Sequence, residues 1–508
     1  MTKYLDFLNL KKIILIGLFF RLLAAVFSKG YAFTDDHFEV VELAQNLLDK
    51  VPNPFTPDFL VEGKAYLFSL VYPYIHTIIF GICESFGVFN PDVKMLVIRL
   101  CHAIFSILTV YYGYQLTERL RKRKDDAKIV GLLLATFWVI PFLSVRNLRE
   151  VACIPPLLMG CYFMADSRLS TKSILFSAFW FTIAFVFRYQ IIFIPFVVGL
   201  MWLIQKNTFQ KALIFGISFV IFYFLTQGLF DYLYWGSPIA SIQAYFTFNS
   251  NPANIDIYPN GPWHRYIGTM AGLTLGFPFL LFLSGYFKTA TQKGNRQILF
   301  FASLLFFVFH CYYPNKQERF ILPFLPFLLI LGTIGFRDIY EQYQDKKWLR
   351  GFAKFATIWF LILNIGLVFL LSVTYTKRSR VESMNYLREK GDMTNFVIQN
   401  YESSQPEAPF YLQKKYDYYT IETREKMAEL PNQLKLGIKT KPNYVILVGS
   451  TDIEKRKIEM KMVFPTMEHE MDIEPSFVDN LAYLMNPSHN HNETFYIFRI
   501  VAPKRRSP

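Results

Sequence analysis

Phe33-Thr34-Asp35-Asp36-His37-Phe38-Glu39-Val40-Val41-Glu42 sets four carboxylates among apolar side chains, directly behind the first long apolar run, Ile13 to Phe27. Nearly everything else in the first three-quarters of the chain reads as lipid-embedded helix. Acids at the mouth of a membrane bundle are costly to desolvate, so they need a reason to be there. One reading is a general base or ligand site at the membrane face. The structural alternative is a solvated helix start, with Thr34 or Asp35 as N-cap and acids in the first turn, where the helix dipole favours them.

Working outward, composition decides the class. The chain has 508 residues, of which 53% are hydrophobic and 18% aromatic, too apolar for a soluble protein of this length. The apolar residues come in runs, and a run of about 20 spans a bilayer. The net charge of +14 suggests nucleic acid at first sight. The basic residues instead gather in short loops between apolar runs, as the positive-inside rule expects, and no nucleic-acid-binding motif is visible. The cysteines Cys83, Cys101, Cys153, Cys161 and Cys311 are scattered, with no metal spacing and no disulfide framework, and read as small buried hydrophobes. The first apolar run follows Lys11-Lys12, lacks a small-residue cleavage site and reads as a retained anchor.

Lys3, Lys11 and Lys12 place the N-terminus in the cytoplasm, so the acidic stretch emerges on the outer, periplasmic or luminal, side. The piece Tyr66 to Ile82, broken by Pro73 and His76, reads as interfacial or re-entrant, because counting it as a span would put the basic loop Arg119 to Lys128 outside. Ten further spans run from near Lys94–Leu116 to Phe355–Tyr375, with Ile129–Val145 and Ala271–Phe287 among them, about eleven in all. Residues 376–508 are polar, with short alternating runs at Phe410-Tyr-Leu-Gln, Tyr444-Val-Ile-Leu-Val and Phe495-Tyr-Ile-Phe-Arg-Ile and a helical stretch at Arg380 to Lys390. They predict a small α/β domain on the outer side, following a transmembrane domain over residues 1–375. Asn492-Glu-Thr is a glycosylation sequon, relevant in a eukaryote, and His489 with His491 reads as a flexible polar loop.

Charged and aromatic residues gather at the outer turns. Arg146, Arg149 and Glu150 form one turn and Arg188 another. The long loop Asp231 to Met270 holds Trp263-His264-Arg265, and a last turn reads His310-Cys-Tyr-Tyr-Pro-Asn-Lys-Gln-Glu-Arg-Phe320. Each has a plain alternative: arginines snorkel to headgroups, Trp and Tyr form interfacial belts, and a histidine in an apolar run is a satisfied core residue. Their shared side is the stronger signal.

At these residues the chain resembles glycosyltransferase family 22, polytopic mannosyltransferases of GT-C architecture that build N-glycan precursors and GPI anchors, with bacterial relatives. Four blocks carry the resemblance: Asp35-Asp36-His37-Phe38 with Glu42 in phase; Arg188-Tyr-Gln; Asp231-Tyr-Leu-Tyr-Trp-Gly followed by Asn249 and Tyr258-Pro-Asn-Gly-Pro-Trp-His-Arg-Tyr; and Asn315-Lys-Gln-Glu-Arg-Phe. The chain departs from the family pattern in having Asp-Asp where Asp-Glu is usual, Asn315 for a histidine and Gln317 for an acid. The C-terminal domain lies outside the resemblance.

The resemblance implies transfer of a hexose, mannose by family, from a polyprenyl- or dolichyl-phosphate sugar to a lipid-linked glycan or glycolipid acceptor, with inversion. The site would sit on the outer or luminal face of a bacterial cytoplasmic membrane or, in a eukaryote, of the endoplasmic reticulum. Asp35 is the expected base and Asp36 the second candidate. Arg188, Lys316, Arg319 and His264 are expected at the donor phosphate, with Arg146, Arg149 and His310 behind them. Glu42, Trp263 and Glu318 are expected at the acceptor or sugar. No obligatory metal is expected, because a lipid phosphate has no pyrophosphate to bridge, although paired aspartates suit Mg²⁺ or Mn²⁺. A transporter or flippase is the rival from another class. It would carry charges near the middle of its spans, and here they lie at the ends. Another GT-C enzyme, such as a protein O-mannosyltransferase, is the rival within the class.

Overall fold

The computed structural model describes residues 6–49, 65–255, 260–401, 409–413, 418–486 and 490–501. Tyr258 of the third block and His489 lie outside them. The chain forms two compact units. The first comprises Met1–Val26, Asn46–Ile82 and Leu96–Ser372, and the second Phe27–Gln45, Cys83–Met95 and Val373–Pro508.

The first unit is helical. Among the described residues, five helices are long and apolar enough to cross a membrane: Pro91–Arg121, Phe209–Trp235, Asn295–Tyr312, Glu318–Gln342 and Lys347–Ser372. Shorter apolar helices, Thr171–Phe187 and Tyr189–Ile204, flank Arg188. The run read as one span from Ala271 to Phe287 is instead two helical segments bent by 115°. The bend sits at Leu275 and Gly276, both at positive φ, with Pro278 starting the next helix. The run Ile129 to Val145 also breaks, between the helices Lys124–Thr136 and Val139–Ser144. Pro141 has no N–H to give to Phe137. The buried Asn364 closes the gap, accepting from Trp138 N at 2.8 Å and donating to Thr136 O at 2.8 Å.

Two features hold the helices in register. Gly285 faces Gly332 and Gly335, and a Cβ on Gly285 would fall 1.9 Å from the Gly332 carbonyl oxygen. Backbones this close are how small residues let membrane helices pack without a hydrophobic driving force. The basic loop is not merely solvated. Arg121 pairs with the fully buried Asp126 at 2.5 Å, Asp338 at 3.0 Å and Glu341 at 2.8 Å, while Arg296 and Arg337 complete the network on Asp338 and Asp126.

The second unit contains a five-stranded sheet: β1 Phe396–Gln399, β2 Tyr419–Ile421, β3 Tyr444–Val448, β4 Met467–Ile473 and β5 Phe495–Ile500. The order is β2-β1-β3-β5-β4. β1 pairs in parallel with β2 and β3, while β5 runs antiparallel to β3 and β4, with a register shift between His469 and Met471. β1 and β3 are buried along their whole length, which fits the apolar run of β3 and that of β1 up to Gln399. The helices Arg424–Leu436 and Ile453–Val463 bury Leu430 and Met460 against Val397, Val445 and Phe498.

The segment Phe410-Tyr-Leu, read as a strand, is a helical turn, Pro409–Leu412. Phe410, Tyr411 and Leu412 are all buried, and Arg388 holds the Tyr411 carbonyl at 2.8 Å. The stretch read as helical, Arg380 to Lys390, lies in the helix Arg378–Lys390. Asn492 of the sequon is buried.

Candidate functional site

In the first unit the structure gathers three separated pieces of sequence. Arg188 ends the helix Thr171–Phe187 in an extended conformation and opens the 3-10 turn Tyr189–Ile192. Its Nη1 lies 2.6 Å from Glu150 Oε1, and Arg319 Nε lies 3.8 Å from the same oxygen. Glu150 is wholly buried, and both arginines are nearly so. The Arg188 guanidinium also stands 4.6 Å from the ring centroid of Phe320. Two guanidiniums therefore approach one buried carboxylate, Arg188 closely and Arg319 at longer range. Arg188 Nε and Nη2 have no hydrogen-bond partner among the described residues. Buried donors are normally satisfied, so this arrangement has capacity for an anion.

The third and fourth blocks meet here too. Asn260 pairs with Asn315 as an isolated antiparallel bridge, and Gly261 N donates to Pro314 O at 3.2 Å. Arg265 pairs with Glu318 at 2.5 Å, and the Tyr266 hydroxyl donates to Gln317 O at 3.0 Å. The Tyr313 hydroxyl donates to Asn249 O at 3.0 Å. Trp263 and His264 are exposed beside one another, their rings edge-to-face at 5.5 Å. Lys316 is buried and donates to the carbonyls of His310 and Cys311, each at 2.8 Å, and to that of Tyr313. Burial pulls its pKa below the usual lysine value. Lys316 thus staples the turn that carries Arg319. His310 Nδ1 lies 2.7 Å from Phe306 O within its own helix.

Asp231 of the third block has a structural task. It accepts from Ser241 N at 2.9 Å, from the Ser241 hydroxyl at 2.7 Å and from Gln227 at 2.5 Å, fixing the start of the helix Ala240–Ser250. Arg149 donates to the Tyr66 hydroxyl at 3.1 Å and stacks 4.1 Å from Phe68, and Arg146 stacks 4.6 Å from Phe142. Glu150 is the central residue that sequence reasoning left outside the site. Its only signal is that it is the one acid in Arg146-Asn-Leu-Arg-Glu150, between two apolar runs.

The acidic stretch belongs to the second unit through Gln45. The helix Thr34–Asp49 begins at Thr34, so Asp35 and Asp36 occupy its first turn. Asp35 is exposed, whereas Asp36 and Glu42 are buried. Adjacent aspartates thus occupy opposite environments, as expected when successive helical residues point about 100° apart. The stretch is anchored on both sides. His37 stacks on Tyr31 at 5.2 Å and meets the Tyr411 hydroxyl at 3.2 Å. Lys377 donates to the Thr34 hydroxyl at 3.1 Å and covers the Tyr31 ring at 4.5 Å.

Comparison with known proteins identifies the family and the fold. Residues 12–403 match the family model of the Alg9-like mannosyltransferases. The chain is 23% identical to the mannosyltransferase APTG1 of Arabidopsis thaliana over 75% of its length and 71% of that protein. It is 23% identical to GPI mannosyltransferase 3 of Candida glabrata over 61% of its length and 53% of that protein. Among solved structures, ArnT from Cupriavidus metallidurans bound to undecaprenyl phosphate matches with a TM-score of 0.59 at 10% identity, covering 97% of this chain and 98% of that one. The arabinofuranosyltransferase AftD from Mycobacteria matches with a TM-score of 0.54 at 12% identity, over 97% of this chain and 40% of that one. The shared fold is GT-C.

Proposed function

We propose, for a chain that belongs to the Alg9-like mannosyltransferase family and is therefore a membrane glycosyltransferase, that it moves mannose from a polyprenyl- or dolichyl-phosphate donor to a lipid-linked glycan or glycolipid. The reaction takes place with inversion on the outer or luminal face, with about eleven spans carrying the site. The observation that carries the reading is the buried Arg188 beside Glu150, whose Nε and Nη2 have no hydrogen-bond partner among the described residues. A departing lipid phosphate is the anion this chemistry fits. Cations aimed at a developing charge in a water-poor site supply a large share of transition-state stabilisation. The ArnT structure holding undecaprenyl phosphate supports the same donor class for this fold.

Inversion needs a base to take the acceptor hydroxyl proton as the oxygen attacks the anomeric carbon. Asp35 is assigned that role because it is exposed in the first turn of its helix, whereas the buried Asp36 is the second candidate and suits positioning. Trp263 and His264, exposed on the turn joined to the fourth block, supply a stacking face for a sugar and a phosphate donor. Glu318 orients this pair through Arg265. Glu42 is assigned to the acceptor side. No metal is given a part in the step.

The test is glycosyl transfer by purified protein in liposomes, with short-chain polyprenyl-phosphate mannose and a panel of lipid-linked glycan acceptors. Wild type is expected to transfer, with or without a chelator. Asp35→Asn is expected to lose about 10²–10⁴ in rate while remaining folded. A lipid-scrambling activity that both Asn variants retain, with no transfer from any donor, would move the chain to the transporter class.

A further inference from the structure

The helix Phe477–Met485 is built the wrong way round for a helix facing water. Its one buried side chain is the acid Asp479. Phe477, Leu481, Leu484 and Met485 are instead exposed, at 72%, 38%, 77% and 79%. Spacings of four, three and one put these four on one face of a helix. Single exposed apolar residues are ordinary, but a full stripe on one helix marks a contact surface.

The buried acid fixes where that stripe sits along the chain. Asp479 Oδ1 accepts from Lys377 N at 2.9 Å and Oδ2 from Arg378 N at 3.2 Å, while Ser476 and Asp479 close a capping box. Lys377 lies five residues beyond Ser372, where the apolar helix Lys347–Ser372 ends. Five residues of fully extended chain reach at most about 18 Å. The residues that hold the start of the exposed helix thus follow the end of the apolar helix by only five positions in the chain. The tether is basic, with Lys377 and the exposed Arg378 in sequence. An apolar stripe beside clustered cations is the pattern of helices that lie in the headgroup layer of a bilayer.

We infer that the helix Phe477–Met485 is a membrane-surface anchor, and that its Phe477, Leu481, Leu484 and Met485 stripe inserts into the bilayer from which the helix Lys347–Ser372 emerges. The occupant is phospholipid: acyl chains against the stripe and phosphates against the basic tether. The inference stands apart from the sugar-transfer reading.

The full chain tests it in nanodiscs of phosphatidylcholine and phosphatidylglycerol. The background is Cys101→Ser, because Cys101 is exposed and the other four cysteines are buried. Leu484→Cys, Met485→Cys and, as the off-stripe control, the exposed Tyr483→Cys each carry an environment-sensitive nitrobenzoxadiazole label. The labels at 484 and 485 are expected to emit to the blue of the label at 483. Shallow doxyl-lipid is expected to quench them at least ~2-fold more, since a surface helix buries one face only. Equal, water-like emission at all three positions overturns the inference. So does blue-shifted emission at 484 and 485 that doxyl-lipid leaves unquenched, which would mean that protein covers the stripe.

Discussion

At the scale of the residue, the decisive feature is a buried carboxylate. Glu150 lies 2.6 Å from Arg188 and 3.8 Å from Arg319, so removing its charge takes a counter-charge from both. Breaking a buried pair by deleting one partner costs about 3–5 kcal/mol, more than the pair itself contributes. Glu150→Ala is therefore expected to destabilise the first unit by about that amount, read as a lower midpoint of thermal unfolding in detergent. An unchanged midpoint would mean the arginines are neutralised elsewhere. Glu470 in the second unit allows a test by pH. The Tyr386 hydroxyl at 2.6 Å first, and Lys390 at 2.9 Å second, hold its carboxyl below the usual range. Its folded value thus lies below its unfolded value of about 4.3. The stabilisation is present above that value and is lost as pH falls through the folded one. Acid unfolding of the sheet, followed by hydrogen exchange from pH 6 to 3, should show this loss in wild type. Glu470→Gln should lack that component.

At the scale of the element, the sequence reads helices well and their breaks less well. Long apolar runs with terminal charges identify Asn295–Tyr312 and Lys347–Ser372 directly. The 115° bend near Gly276 and the break at Phe137 were hidden inside runs of suitable length, because hydropathy averages over the prolines and glycines that cause them. The strand reading at Phe410 failed for a related reason: a short apolar run does not say whether its faces alternate. Helix contact through Gly285 gives a sharp expectation. Gly285→Ala places its Cβ 1.9 Å from a backbone oxygen and 2.4 Å from the Phe336 nitrogen, and neither atom moves without shifting a helix. A loss of about 1–3 kcal/mol is expected, as for overpacked cores. Gly216→Ala, with nothing within 4 Å of its Cβ, should be neutral or stabilising by up to about 1 kcal/mol. Thermal unfolding of the two variants side by side separates the contact from a general glycine effect.

At the scale of the whole molecule, the second unit is assembled from three parts of the chain. Ser28 donates to Thr374 O at 2.8 Å, Asp92 pairs with Arg388 at 3.1 Å, and His37 meets Tyr411. A fragment Val373–Pro508 lacks Phe27–Gln45 and Cys83–Met95 and would expose the surfaces these cover. It is expected to show no cooperative thermal transition by circular dichroism when expressed alone. A sharp native-like transition would mean that the sheet and its helices fold without the acidic stretch.

The sequence by itself determined the class of the protein and the family. Apolar run length and the placement of cations follow from the bilayer, and four short blocks in order are enough to identify relatives. Tertiary structure decided which residues of the blocks meet. The Asn260–Asn315 bridge, the Lys316 staple and the carboxylate shared by Arg188 and Arg319 join residues far apart in the chain. The separation of Asp35 and Asp36 into exposed and buried neighbours depends on what packs against their helix. Burial and hydrogen-bond partnership are set by non-local contacts, which residue type and local spacing do not encode.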